Sequence, residues 1–204
     1  MKVLDRTTIA SGGWISLQKI TYEGHDGKIR TWESASRVNS MGAVMMIPVT
    51  KPGGDLVVIR QFRPPTGRLV YEFPAGLINP GEDPVTAAIR ELKEETGYAG
   101  TVDFCTPRVF TSPGLSSEFV HLVRMTVDLD AQTDLRTHFD ESESLETFLV
   151  PQASLPDVRR GVQEAGWPLT CFYAAWPSAV FCVCAERFCG GVFFSDCPLL
   201  KIPG

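Results

Sequence analysis

Apolar and polar residues alternate along much of the chain, which is the pattern of half-buried β-strands. Two strands are predicted in the N-terminal part, near Trp14–Tyr22 and Lys28–Ser36, joined by a turn at Gly24–Gly27. The next two strands are predicted at Ala43–Val49 and Leu56–Gln61, and the proline and glycines of Lys51–Asp55 between them indicate a hairpin. The later strands are expected at Leu69–Phe73, Thr101–Val109, Phe119–Val127 and Leu145–Val150.

One segment has the pattern of a helix with both ends marked. Asp83 is a favourable N-cap and Pro84 a natural first helical residue, so a helix is predicted over Pro84–Thr96. Gly97 stands where a left-handed residue ends a helix. A second helix is predicted from about Ser154 to Ala165. Strands surrounding one strong helix indicate an α+β layered domain.

The charges on this helix are unusual. Glu91, Glu94 and Glu95 are spaced so that their carboxylates share one face, while Ala87, Ala88 and Leu92 give the opposite face an apolar surface. Arg90 can pair with Glu94, but Glu91 and Glu95 have no obvious partner at helical spacing except nearby Lys93. A hard divalent cation relieves such repulsion. The alternative is an acidic helix face that is only solvated.

The full spacing from Gly76 to Tyr98, G-x5-E-x7-R-E-L-x-E-E-x-G-Y, resembles the signature of the Nudix hydrolases. The resemblance implies a mixed β-sheet sandwiched between helices (α/β/α), here with an N-terminal β-extension. It also implies metal-dependent hydrolysis of a nucleoside diphosphate linked to another moiety. In this family Arg90 orients the glutamates, Glu82 supports them, and Gly76 and Gly97 are structural. The implied metal ligands are Glu91, Glu94, Glu95 and the backbone carbonyl of Ala75.

Other blocks resemble the ADP-ribose and ADP-sugar pyrophosphatase branch, close to its animal members. They are Gln61–Pro65, Tyr71–Gly76 and Ser112–Ser116, and the resemblance runs from about Ser11 to about Leu155. It implies that a metal-activated water attacks one phosphorus of the diphosphate of ADP-ribose or a related ADP-sugar, giving AMP and a sugar phosphate. Two or three Mg²⁺ ions are implied, with Mn²⁺ as an alternative.

The resemblance also implies how the nucleotide is held. Trp14 and Trp32 sandwich the adenine, one from each subunit of an intertwined homodimer, and Glu33 accepts a hydrogen bond from its exocyclic amine. Arg37 and Arg63 contact the diphosphate or the terminal ribose. Leu77, Pro113 and Gly114 complete the implied substrate-binding set. From the residues alone, a tryptophan in a strand also fits the core, and Arg63 beside two prolines also fits a surface turn.

An acidic loop, Asp140–Glu146, is the candidate source of a general base. The resemblance places Glu143 at that position, as base or additional metal ligand, so the implied catalytic residues are Glu143, Glu94 and Arg90. Glu141 and Glu146 remain alternatives for the base.

Composition and charge restrict the kinds of molecule that this chain is expected to bind. The chain has 204 residues and a formal net charge of -5, which argues against a nucleic-acid-binding protein that neutralises phosphates. The N-terminus MKVLDRTTIASGG has no apolar region typical of a secretory signal, and no clean membrane span is visible. We expect an intracellular protein of the cytoplasm, or also of the nucleus, acting on a small nucleotide sugar.

Three segments are predicted: an N-terminal β-extension for dimerisation (1–40), the hydrolase domain (41–165) and a divergent tail (166–204). The tail is rich in phenylalanine and carries five of the six cysteines. A zinc site is conceivable, although the tail lacks the paired C-x2-C spacing typical of one, and a disulfide framework would require a chain with the features of a secreted protein. We interpret the tail as an altered terminus. Two other functions stay open: a Nudix hydrolase of another nucleotide sugar or oxidised nucleoside diphosphate, and a catalytically silent nucleotide-binding or interaction module.

Overall fold

A computed structural model describes residues 1–137 and 145–152. The N-terminal strands are β1 (Lys2–Ser11), β2 (Ile15–Glu23) and β3 (Ile29–Arg37). The following elements are β4 (Ala43–Lys51), β5 (Leu56–Arg63), a 3-10 turn (Pro64–Thr66), β6 (Arg68–Glu72), β7 (Ala75–Leu77), α1 (Pro84–Thr96), β8 (Thr101–Cys105), β9 (Val109–Phe110), β10 (Phe119–Asp128) and β11 (Leu145–Val150).

The larger sheet is mixed, and its central pair is parallel. Its order is β11-β5-β4-β10-β8, with β6 on β5, β7 on β4 and β9 on β10. β10 runs parallel to β4, with Val120 opposite Ala43 and Asp128 opposite Lys51. A strand covered on both faces has to be almost continuously apolar, and β4 is buried along nearly its whole length.

The core lies between this sheet and α1. Ala87, Ala88 and Leu92 are fully buried and belong to one cluster with residues of β4, β5 and β10 such as Val44, Val57 and Met125. A fully buried valine or leucine side chain stabilises the fold by about 1.5–3 kcal/mol. This burial fixes which face of α1 packs on the sheet, and the glutamates lie on the remaining faces.

The smaller sheet, in the order β1-β2-β3, is formed by the N-terminal residues alone. Every residue of β1 is exposed, and so are several large apolar side chains of β2 and β3. β3 contacts the rest of the domain at the Ser112–Ser116 loop, where the amide of Ala35 donates to the carbonyl of Leu115 at 2.9 Å. The smaller sheet therefore contributes little to the core.

Two predictions about strands are wrong. β1 was not predicted, because its many polar residues and its exposed faces leave no buried pattern to recognise. Thr101–Val109 is not one strand: β8 ends at Cys105, and β9 begins at Val109. Pro107 lies between them and has no N–H with which to continue a ladder. β7 is a short additional strand that no alternation indicated.

Some predicted features lie outside the described residues. They are the second helix over Ser154–Ala165, the loop positions 138–144 with Glu141 and Glu143, and the tail 166–204. No helix in residues 1–137 and 145–152 is long and apolar enough to cross a membrane.

Candidate active site

Both ends of α1 are built by its own sequence. The side chain of Asp83 accepts hydrogen bonds from the amides of Val85 and Thr86 at 2.9 and 3.1 Å, which satisfies two otherwise unpaired N–H groups. The Thr86 hydroxyl also donates to Asp83, and this bond is the largest cause of a pKa of Asp83 below its ordinary value; the two amide bonds lower the pKa further. Gly97 closes the helix in the left-handed region with φ 75°. The helix bounds predicted from the sequence are confirmed.

Arg90 lies at the centre of a network of three glutamates. It donates to both carboxylate oxygens of Glu82, from Nε at 2.9 Å and from Nη2 at 2.8 Å. Its Nη1 is 2.9 Å from both Glu91 and Glu94. Nη2 also donates to the carbonyl of Leu77 at 3.0 Å. One guanidinium thus fixes side chains on α1 and on the loop before it.

The charges in this network stabilise one another. The Arg90 guanidinium holds the pKa of Glu82 below its ordinary value, and Glu82 is the largest cause of a raised pKa at Arg90. Arg90 therefore stays cationic, and Glu82 stays ionised at neutral pH. This geometry agrees with an orienting role for Arg90 and a supporting one for Glu82.

The partner of Glu91 differs from the expectation. The sequence left Glu91 with no partner at helical spacing except Lys93, yet it pairs with Arg90, the residue directly before it. Lys93 instead donates to the carbonyl of Gly97 at 2.7 Å and to the carbonyl of Asp134. A long, flexible arginine can turn back along the helix surface, so the usual three- and four-residue spacings do not exhaust its partners.

The third signature glutamate is held from the sheet. Glu95 is buried, with 7% of its surface exposed, and accepts a hydrogen bond from the backbone amide of Ala75 at 3.1 Å. Ala75 belongs to β7, which pairs with β4. This bond fixes the carboxylate against the strand whose carbonyl is the predicted fourth metal ligand.

Gly76 brings the strand close to the helix. A Cβ placed on Gly76 would lie 1.9 Å from the Glu91 carboxyl carbon, so no larger residue fits without moving that carboxylate. The close contact explains the first glycine of the signature by space rather than by dihedral angle.

Acidic groups gather here without yet forming a cation-binding arrangement. Among the residues that the structure describes, no three His, Cys, Asp or Glu side chains are grouped so as to hold a metal ion. Glu91 and Glu94 point at Arg90, and Glu95 points at the Ala75 amide. The donor set itself, three carboxylates beside a backbone strand, is the oxygen-rich type that suits Mg²⁺ or Mn²⁺.

A second group of predicted residues meets where β3 contacts the Ser112–Ser116 loop. The indole Nε1 of Trp32 donates to the carbonyl of Gly114 at 3.0 Å, across 82 positions of sequence. The loop is closed by hydrogen bonds from the Leu115 and Ser116 amides to the Ser112 carbonyl, at 2.9 and 2.8 Å. The structure thus brings Trp32, Pro113 and Gly114 together.

Arg37 extends this second group. Its Nε donates to Glu118, a residue that sequence reasoning missed. The pair lies beside a cavity of about 150 Å³ lined by Ser36, Arg37, Ser40, Gly42, Ser117, Glu118 and Phe119. Ile78 directly follows Leu77, a predicted substrate-binding residue at the end of β7. The Ile78 amide donates to the carbonyl of Gly42, one of the cavity-lining residues, at 3.2 Å, so the cavity adjoins the end of β7. Leu77 itself is exposed.

Trp14 and Trp32 are not core residues, so the core interpretation of these side chains is wrong. They are 80% and 52% exposed, respectively. The Val38 amide, six residues after Trp32 and just beyond β3, donates to the Trp14 carbonyl, so the backbones of Trp14 and Trp32 are separated by about 20 Å at strand spacing. Glu33 lies opposite Lys19 on β2, one position from Trp32. Within one chain the two indoles are far apart.

Arg63 is not a free surface residue. Its Nε donates to Glu72 at 2.7 Å, and Glu72 also accepts from the side chain of Gln61 at 2.6 Å. Glu72 was missed by sequence reasoning, although it lies inside the quoted Tyr71–Gly76 block. Its signal would have been a carboxylate placed in an otherwise apolar strand.

Comparison with known proteins agrees with this geometry. The profile of the NUDIX domain matches residues 40–166, more than half of the chain. The chain belongs to the Nudix family. It is 39% identical over 162 residues to the ADP-sugar pyrophosphatase of Mus musculus, covering 75% of this chain and 74% of that protein. It is 37% identical over 166 residues to the ADP-ribose pyrophosphatase of Saccharomyces cerevisiae, covering 76% and 72%.

The fold is also that of the Nudix family. A crystal structure of an ADP compounds hydrolase superposes with a TM-score of 0.59 at 23% identity, covering 81% of this chain and 95% of that chain. The expected fold class, a mixed sheet of the Nudix type with additional N-terminal strands, is confirmed. The described helix α1 carries the Nudix signature.

The acidic loop is described only at its end. Glu146, an alternative for the Nudix base, forms a bidentate pair with Arg60, both contacts being 2.6 Å. Its side chain is thereby held on β11 against β5. Glu143, the favoured base, lies outside the described residues, and its role stays a prediction.

Proposed function

We propose that this protein hydrolyses the diphosphate linkage of ADP-ribose and related ADP-sugars to AMP and a sugar phosphate. The observation that carries the proposal is the signature site, where Arg90 gathers Glu82, Glu91 and Glu94 while the Ala75 amide holds Glu95. The proposal is supported by the pyrophosphatase names of relatives that cover about three quarters of the chain.

The metal ligands we propose are Glu91, Glu94, Glu95 and the carbonyl of Ala75. Two or three Mg²⁺ ions, with Mn²⁺ as an alternative, would neutralise phosphate charge and lower the pKa of the attacking water. The chain's own contribution is to hold these carboxylates in place: Arg90 pairs with Glu91 and Glu94, and the Ala75 amide holds Glu95. Gly76 allows the strand to approach Glu91 closely enough for a strand carbonyl to join the set.

The nucleotide would be recognised at the second group. We propose that Trp32, 52% exposed and anchored to Gly114, offers one face for stacking adenine, and that Trp14 of a second chain offers the other. The separation of about 20 Å between the two residues in one chain favours this homodimeric arrangement. Glu33 would accept from the adenine amine. Leu77 and Pro113 would line the site.

The diphosphate needs cationic partners besides the metal. Arg37 and Arg63 are the proposed contacts, and each has Nε bound to a glutamate, so the Nη groups are left as the donors for phosphate oxygens. Glu143 is the proposed base. Glu94 and Arg90 complete the catalytic set through metal binding and orientation.

The test is hydrolysis of ADP-ribose by purified full-length protein in Mg²⁺, with EDTA as the control and chromatographic separation of products. Metal-dependent release of AMP and ribose 5-phosphate would support the proposal. Folded protein that binds ADP-ribose without turnover would contradict it in favour of a silent module. Turnover of another nucleotide sugar alone would correct the substrate.

A further inference from the structure

Two glutamates are buried among the residues that the structure describes, and only one belongs to the signature. Glu95 faces the Ala75 amide, whereas Glu72 is 6% exposed and lies on β6. Burying a carboxylate is costly unless its oxygens are hydrogen-bonded. Here one oxygen of Glu72 accepts from Gln61 Nε2 at 2.6 Å and from Arg63 Nε at 2.7 Å. The side chains of Gln61 and Arg63 therefore compensate the buried Glu72 carboxylate.

The strand register shows how far along the β5–β6 pair Arg63 reaches to bind Glu72. Ile59 lies opposite Glu72, and Arg63 lies opposite Arg68 at the far end of the β5–β6 pair. Alternate residues of β5 share a face, so Arg63 must extend back along the strand to reach Glu72.

The contact uses one edge of the guanidinium. Nε is bound to Glu72, which leaves the two Nη groups as the remaining donors of a planar fork suited to phosphate oxygens. The Arg63 side chain is 43% exposed while that of Glu72 is 8% exposed, so the pair has a buried and an open end. The open end is the one that a soluble anion can reach.

Glu72 is also tied to the metal-side carboxylates through a short stretch of backbone. Phe73 is buried at 1% exposure, and the Pro74 carbonyl accepts from the Met46 amide at 2.8 Å. The next residue, Ala75, donates to Glu95. Residues 72–75 therefore fix Arg63 by a side chain and Glu95 by an amide.

We infer that Glu72 is a positioning residue, which holds Arg63 so that its Nη groups meet the anionic diphosphate of the substrate. The inference rests on the proposed function, because it assigns a purpose to a substrate contact. Glu72 itself touches neither substrate nor metal. Its loss should weaken substrate binding through Arg63.

A double-mutant cycle on the full chain tests this, with Glu72→Gln, Arg63→Gln and the double variant assayed on ADP-ribose in Mg²⁺. Each single change should raise KM about tenfold with a smaller change in kcat, the scale of one charge-assisted hydrogen bond. The double variant should be no worse than Arg63→Gln. Additive effects would overturn the inference, since Glu72 would then act without Arg63.

The matched control is Arg68→Gln, which removes an exposed positive charge directly opposite Arg63 on the same face. Its KM should stay within about twofold of wild type. A rise as large as that of Glu72→Gln would show that any charge change on this face suffices, and would overturn the inference. If Glu72→Gln folds poorly, Glu72→Asp keeps the charge but withdraws it from Arg63, and its KM effect should also vanish in the Arg63→Gln background. An effect that persists there would count against the inference.

Binding separates this inference from the proposed function. The same variants are titrated with ADP-ribose in EDTA, followed by tryptophan fluorescence. Binding without turnover, with the Glu72–Arg63 coupling intact, would contradict the hydrolase and support the positioning role. Turnover with additive effects would do the reverse. A wild-type protein that neither binds nor hydrolyses ADP-ribose would overturn both.

Discussion

The signature site and the N-terminal sheet are organised in opposite ways. The signature site draws its charged residues from one short segment, and Arg90 pairs with three of them, Glu82, Glu91 and Glu94. The N-terminal sheet instead leaves Trp14, Ile15 and Ile29 more than half exposed and contacts the domain through residues about eighty positions away. A site made from local sequence can form its contacts within one chain. A surface made of exposed apolar strands is suited to a further partner.

The comparison implies different consequences of mutation. Changes in the signature should abolish chemistry, because Arg90 links three of its glutamates and a fourth, Glu95, is held by the adjoining strand. Changes on the N-terminal sheet should alter affinity and leave the fold intact, because little of that sheet is in the core.

The largest effect is expected for Glu95→Gln. Glutamine keeps an acceptor for the Ala75 amide but removes the charge that would hold a cation, so folding should persist while kcat falls roughly a hundredfold or more. The measurement is Mg²⁺-dependent ADP-ribose hydrolysis alongside a thermal melt. Asp130→Asn, at an exposed acid outside the signature segment, serves as the control and should keep its activity. Near-normal turnover of Glu95→Gln would refute the metal assignment.

Gly76→Ala should come next. Its new methyl would lie 1.9 Å from the Glu91 carboxyl carbon, so either the carboxylate or β7 must move. We expect a loss of about 1–3 kcal/mol in the free energy of unfolding, with activity reduced about tenfold or more. Denaturant unfolding and kcat are the two readouts.

Gly13→Ala is the matched control for this substitution, because a Cβ there meets nothing within 4 Å. It should leave both stability and activity unchanged. If Gly76→Ala behaved like Gly13→Ala, the close packing of strand against Glu91 would not matter to the site.

What could be predicted from the sequence follows the same division. The bounds of α1 were predicted to the residue, because Asp83, Pro84 and Gly97 act on neighbouring backbone groups. The link between Arg37 and Glu118 spans 81 positions and depends on where β3 meets the Ser112–Ser116 loop, which no local pattern encodes. Glu72 carried a local signal as a carboxylate among apolar strand residues, but its partner Arg63 lies across a strand pair, which that signal does not identify.

Trp32→Ala tests the N-terminal sheet. The side chain is half exposed, so stability should change little, while loss of a stacking surface worth about 1–3 kcal/mol should raise KM for ADP-ribose about tenfold. Trp32→Phe keeps an aromatic face but removes the N–H bond to Gly114, and it should recover part of the loss. Steady-state kinetics on both variants is the measurement. Equal KM values for wild type and Trp32→Ala would exclude the indole from nucleotide binding.

The smallest effect belongs to the helix cap. Because the folded pKa of Asp83 lies below its ordinary value of 3.8, its ionised form stabilises the fold at neutral pH, and this stabilisation is lost as the pH falls through the folded pKa. Asp83→Asn should therefore lower Tm by a few degrees at pH 7, and the difference from wild type should shrink in acid. Tm measured by circular dichroism across this range checks the sign, with Asp130→Asn as a comparison that should show no such convergence. A difference that stayed constant from pH 7 into acid would mean that the cap works by shape rather than charge. In that case backbone geometry would stabilise the start of α1, and electrostatic interactions would stabilise only the Arg90–glutamate network of the signature site.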